Sequence, residues 1–135
     1  MRRIHTHEDG RGLTELCAVY AADEPHPVNG AHHEYRFIRD LTATDAGSPP
    51  WPVDHLDAGR IVFQRGPRHD PDSIPGVLDG CLLAVLIDRY ECFQAGPFHC
   101  LENEVVLCHL RTALDAMKSR ARERARRGVL GTNAR

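Results

Sequence analysis

Arg120 and Arg124 stand four residues apart, so on a helix they share one face, a turn beyond Met117. Two guanidiniums side by side form a fork that can grip a phosphate bidentately. The same spacing suits a plain solvated helix end, where the macrodipole favours cations, and spacing alone leaves both readings open. A second group lies in Phe93-Gln94-Ala95-Gly96-Pro97-Phe98-His99-Cys100-Leu101-Glu102-Asn103. It sets two aromatic rings and an asparagine around one tight reversal. A phenylalanine can stack on a nucleobase and an asparagine can hydrogen-bond one. Phe98 would equally close a helical hairpin by hydrophobic contact, without any ligand.

Other chemistries find less support. Nine histidines and five cysteines invite a metal site, and His99, Cys100, Cys108 and His109 are the densest cluster. On one helix such residues lie ~12–15 Å apart along the axis, whereas zinc ligands sit within ~2.3 Å of the ion. There is no Cys-x-x-Cys pair, so structural cysteines and surface histidines are expected, with no metal and no cofactor. Nor is there a Gly-x-Ser-x-Gly, a Gly-rich phosphate loop with a lysine, or a His-Glu-x-x-His. Asp70, Asp72 and Asp79 occupy a Pro- and Gly-rich connection and read as turn and helix-start residues. The expectation is a protein that is not an enzyme.

The net charge of −2 averages two opposite parts. Residues 108–135 hold eight basic and two acidic side chains, hence +6, and the remainder carries −8. A basic end on an acidic body suits an anionic partner, an acidic neighbouring subunit or a solvated helix. With 41% hydrophobic and 27% charged residues, the composition is that of a globular protein. The longest apolar run, Cys81 to Ile87, is seven residues, far short of the ~20 of a membrane span. The polar start Met1-Arg2-Arg3-Ile4-His5 lacks the apolar region of a secretory signal. A cytoplasmic protein with reduced thiols and no membrane partner is therefore expected.

The elements that must position these groups fall into two halves. Leu13–Tyr20 reads as a weak strand, and Ala31–Arg39 as a half-buried one with His33, Tyr35 and Phe37 on one face. Residues 44–59, with Pro49-Pro50-Trp51-Pro52, read as a loop, and Arg60–Gln64 as a third strand. Three strands in series pair most simply as an antiparallel meander. From Val77 to Gln94, Leu78, Leu82, Val85, Leu86, Tyr90 and Phe93 recur at helical spacing. From about Cys100 to Arg127, Val106, Leu110, Leu114, Met117 and Ala121 mark a second helix, which Gly128 ends. The fold class expected is α+β: a small N-terminal antiparallel β-sheet (1–75) followed by a C-terminal antiparallel helical hairpin (76–135), within one compact domain. So broad an apolar helical surface calls for a second copy to cover it.

Several of these segments together resemble a known family. Gly76-Val77, then Leu82-Leu83-Ala84-Val85-Leu86-Ile87-Asp88-Arg89, then Phe93-Gln94-x-Gly96-Pro97-Phe98-x-Cys100-x-x-Asn103, ending in Arg120-x-x-x-Arg124-x-x-Arg127-Gly128-Val129-x-Gly131-Thr132, are similar to the helical hairpin of the phage anti-defence signal sponges. That family includes the first Thoeris anti-defence protein and the second anti-CBASS protein. Ala31-His32-His33-Glu34-Tyr35 and Ile61-x-Phe63-Gln64-x-Gly66-Pro67 resemble the strands of the Thoeris branch. At the entrance to the first helix the chain departs from the pattern, with Pro75-Gly76-Val77-Leu78 where Asn-Gly-Val and a polar cap are expected.

The resemblance implies a non-enzymatic binder that sequesters cyclic ADP-ribose isomers made by TIR-domain enzymes, some members also holding cyclic di- or trinucleotides. It implies dimers, or hexamers built from dimers, in the host-cell cytoplasm. Carried over by motif, the ligand residues are Arg68, Phe93, Asn103, Arg120 and Arg124. Phe93 would stack on adenine, Asn103 would hold base or ribose, and the arginines would grip the pyrophosphate. Asn103 and Arg120 are seventeen residues apart on one helix, hence ~25 Å. One site can use both only if the turn of one chain lies beside the arginine end of another. The rival readings are a small nucleic-acid-binding protein using its basic helix end, and an oligomerisation module without ligand. The acidic body and the lack of a DNA-binding motif speak against nucleic acid.

Overall fold

The structure is a computed structural model that describes residues 1–11, 17–40, 55–132, 134 and 135. Four strands, β1 (Arg2–Ile4), β2 (Cys17–Ala21), β3 (Glu34–Asp40) and β4 (His55–Val62), precede two helices, α1 (Asp79–Ala95) and α2 (Leu101–Arg126). The strands form one antiparallel sheet in the order β1-β2-β3-β4. The α+β arrangement expected from the pattern is the one observed. The described residues divide into two compact units, Met1–Phe63 and Gln64–Arg135.

The sheet differs from the expected three-stranded meander at two places. β1 is an added edge strand whose Arg3 pairs with Tyr20; three residues are too few to show a period. β4 begins at His55, so residues 55–59, expected to be loop, are strand. The misleading signal is Gly59, which has φ +147° and lies opposite Phe37. Register passes from Phe37↔Gly59 to Ile38↔Asp57, so Ala58 is the extra residue of a β-bulge. A glycine at a bulge is a feature of a strand, not a break in it. The start of Leu13–Tyr20 and the Pro-rich stretch 44–54 lie outside the described residues.

In the first unit the alternation sorts the two faces of the sheet. Tyr35 and Phe37 share a face with Ala21 and Val19, their direct partners on β2. Phe63 meets Tyr35 edge-on at 5.7 Å, and Ala21 is buried. The opposite face carries the row Arg3, Tyr20, Arg36 and Arg60, one residue from each strand. Glu8 pairs with Arg3, and Glu34 with both Arg36 and Arg60. Asp23 fixes the entry to β3: its carboxylate accepts the main-chain N–H of His33 and of Glu34.

The second unit is the hairpin with the segment that leads into it. α1 and α2 run antiparallel: Gly80 at the start of α1 lies against Leu114 midway along α2, and Gln94 at the end of α1 bonds Glu104 at the start of α2. Glu91 and Arg111 add an exposed ion pair at 2.9 Å, of a kind worth ~0–1 kcal/mol. Because α2 is the longer helix, 26 residues against 17, its last turns run past the start of α1. Arg120 and Arg124 lie on that overhang. Neither helix is long and apolar enough to cross a membrane.

Candidate functional site

The hairpin presents its chemistry at two poles. At the turn, Gln94 links the helices: its side-chain carbonyl accepts Cys100 N–H at 2.9 Å, and its amide donates to the Cys100 carbonyl and to Glu104. Cys100 is the N-cap of α2 and supplies no side-chain cap of its own, so Gln94 satisfies that helix end from across the turn. Asn103 donates its side-chain amide to the Phe98 carbonyl at 3.1 Å. Its first role is thus to close the reversal that carries the two aromatics.

Phe93 is half-buried, set edge-on to Tyr90 at 5.6 Å. The guanidinium carbon of Arg89 lies 4.9 Å from the Phe93 ring centroid, a cation–π distance. Arg89, one helical turn before Phe93, was not among the expected site residues, although the i, i+4 spacing is in the sequence. Phe98 in the turn and Leu101 at the start of α2 are large apolar groups that stand 76% and 75% exposed.

The other pole lies on the overhang. Arg120 is exposed and Arg124 half-buried. The sequence gives no hint of the use made of Arg124: its guanidinium donates to the main-chain carbonyls of Val129, Thr132 and Ala134, at 3.1, 3.1 and 2.9 Å. α2 ends in a Schellman motif, Gly128 N–H bonding Ala125 and Val129 N–H bonding Arg124, with Gly128 at φ +74°. The chain then turns back through Gly131, at φ +76°, where Thr132 N–H reaches the Val129 carbonyl. Glu123 pairs with Arg127 at 2.6 Å and with Arg126 at 3.7 Å, reducing the free charge of the helix end.

Arg68 joins this pole from the segment before α1. Arg65 and Ile74 exchange both main-chain hydrogen bonds, making a loop of the residues between. Gly66 has φ +93°, and a Cβ there would run into Ser73 Oγ; a side chain at 66 does not fit. Arg68 is exposed, and Gly131 lies against it. The structure therefore brings Arg68, the C-terminal turn and Arg124 together, while Phe93 and Asn103 gather separately at the far end of the hairpin. At the entrance to α1, the N-cap Leu78 makes no side-chain cap, as the departure at Pro75–Leu78 leads one to expect.

Among the described residues no group of His, Cys, Asp and Glu is arranged to hold a metal ion. Little of the hairpin is buried: none of α1, and in α2 only Leu107. Val85 is 65% exposed, Val105 49% and Leu86 41%.

No family model matches the chain. It is similar to a protein of Bacillus phage SBSphiJ7 named Thoeris anti-defense 1, with 37% identity over 79 residues. The match covers 56% of this chain and 55% of the phage protein, so the chain spans about half the length of that relative.

Proposed function

We propose that this protein is a phage anti-defence sponge, which binds the cyclic ADP-ribose isomer released by TIR enzymes of Thoeris systems and withholds it from the effector. The observation that carries this reading is the 37% identity to a phage protein named for Thoeris anti-defence. The chemistry of the hairpin agrees with it. A compact dianion with an adenine base needs a stacking ring, a hydrogen-bonding amide and guanidiniums. Phe93, Asn103, Arg120 and Arg68 supply these, with Arg124 at the same pole as the last two. Sequestration calls for tight capture and slow release, without turnover, a nucleophile or a cofactor. Cyclic oligonucleotides of CBASS systems are a second ligand class for the same sponge.

The active form in this reading is an oligomer, a dimer or a hexamer built from dimers. Asn103 and Arg120 are separated by ~25 Å along α2, too far for one small ligand. Two hairpins packed antiparallel bring the turn of one against the arginine end of the other. That packing also covers Val85, Leu86, Leu101 and Val105, which one chain leaves open.

Expression of the chain in bacteria that carry a Thoeris system tests the reading. Phage plating should be restored while the TIR enzyme goes on consuming its substrate. Unrestored plating at abundant expression would sink it.

A further inference from the structure

We infer that Arg89 is a positioning residue, which sets the plane of the Phe93 ring from one face and leaves the other face for a base. This rests on the sponge reading and adds to it a residue outside the expected ligand contacts. A base gains from a stacking ring only if the ring keeps its plane, and a side chain that must be immobilised on binding lowers affinity. Phe93 sits where the helix supports it least. It lies in the last turn of α1, where its carbonyl accepts the Gly96 N–H at 3.2 Å, and the helix ends at Ala95. Phe98, the other aromatic of the turn, is 76% exposed and makes no ring contact among the described residues.

Two side chains hold the half-buried Phe93 ring. Tyr90 stands at 82° to it, with centroids 5.6 Å apart. The guanidinium carbon of Arg89 lies over it at 4.9 Å, within cation–π range. The sequence leaves Arg89 little other use. The α1 positions three and four residues away, where a helix places ion-pair partners, are Val85, Leu86, Cys92 and Phe93, none of them acidic. Glu91 is taken by Arg111 across the hairpin at 2.9 Å. Among the described residues the Arg89 guanidinium has no hydrogen bond or ion pair, and the Phe93 ring is what it rests on. A ring has two faces. With a guanidinium on one, the base takes the other, and Phe93 becomes the middle of a three-layer stack.

Two variants and two readouts test this. Arg89→Ala uncovers the ring. Arg89→Met removes the charge and every N–H donor but keeps an unbranched stem whose sulfur packs on aromatic rings. The first readout needs no ligand: NMR carbon relaxation of Phe93 in phenylalanine-labelled protein. Side-chain order at Phe93 should fall in Arg89→Ala and stay near the wild-type value in Arg89→Met. The second is the dissociation constant for purified TIR-enzyme product. It should rise about two- to tenfold in Arg89→Ala, the effect of having to order one side chain on binding, and less than about twofold in Arg89→Met. Unchanged Phe93 order in Arg89→Ala overturns the inference, because the ring then needs no holder. Equal loss of affinity in both variants overturns it too, since the guanidinium itself would then meet the ligand. So does unchanged or tighter binding by Arg89→Ala, which would make Arg89 idle or an obstruction to the stack. If the wild-type chain captures nothing, the sponge reading fails, while the relaxation of Phe93 still decides whether Arg89 holds the ring.

Discussion

Gln94 bonds Cys100 twice, accepting its N–H and donating to its carbonyl, and so closes the hairpin turn with a single side chain. Replacing it leaves the Cys100 N–H to water and its carbonyl with the Glu104 N–H alone. Gln94→Ala should destabilise the hairpin unit by about 1–3 kcal/mol, seen as a lower urea midpoint with an unchanged slope. An unchanged midpoint would mean that Gly96-Pro97 and the Asn103 bond to Phe98 set the turn without Gln94.

Asp23 ties the loop before β3 to the sheet. Burial would raise its pKa, but the N–H groups of His33 and Glu34, and the His32 ring beside it, more than offset that and hold it below the ordinary aspartate value. A depressed carboxylate is protonated first in the unfolded chain. Its stabilisation is therefore present above that value and is lost as pH falls through the folded pKa. Denaturant titrations should show the stability of the sheet unit dropping as pH falls below about 4, and Asp23→Asn should flatten that drop. Equal acid sensitivity in the variant would remove Asp23 from the account.

The apolar surface of the hairpin predicts association. Val85→Glu on α1, or Leu101→Glu on α2, puts a charge where a second copy is expected to pack, and like charges would then meet across a two-fold axis. Sedimentation velocity should show an oligomer for the wild-type chain and a monomer for at least one variant. A monomeric wild-type chain at high micromolar concentration would contradict the shared site.

Arg120 is the cleanest probe of the anion contact. Arg120→Ala should cut ligand affinity about tenfold or more, as expected for loss of a charge-assisted hydrogen bond. It should leave the oligomer and the thermal midpoint in place. Dissociation of the variant would instead make Arg120 an interface residue.

The helices were legible because their apolar positions repeat over many turns and Gly96-Pro97 and Gly128 punctuate them. Two parts of the sheet were not. Arg2–Ile4 is shorter than a detectable period, and Gly59 reads as a breaker until its bulge opposite Phe37 is seen. At the candidate site, residue types gave a stacking ring, an amide and cations. They did not give Arg89 over Phe93, nor Gln94 as the clasp of the turn. The use of Arg124 was hidden for a physical reason: its three acceptors are main-chain carbonyls, which no residue type encodes. Only the folded C-terminal turn shows them.

The central claim is that the chain holds a cyclic nucleotide signal intact. The direct measurement is to incubate the purified protein with the product of a TIR enzyme, remove free ligand, denature the protein by heat, and identify the released small molecule by mass and by its ability to activate the effector. The account predicts recovery of the unaltered signal in a fixed stoichiometry to protein, and loss of that recovery in Arg120→Ala. Release of a chemically altered nucleotide would indicate an enzyme, and an empty supernatant at micromolar protein would contradict the account outright.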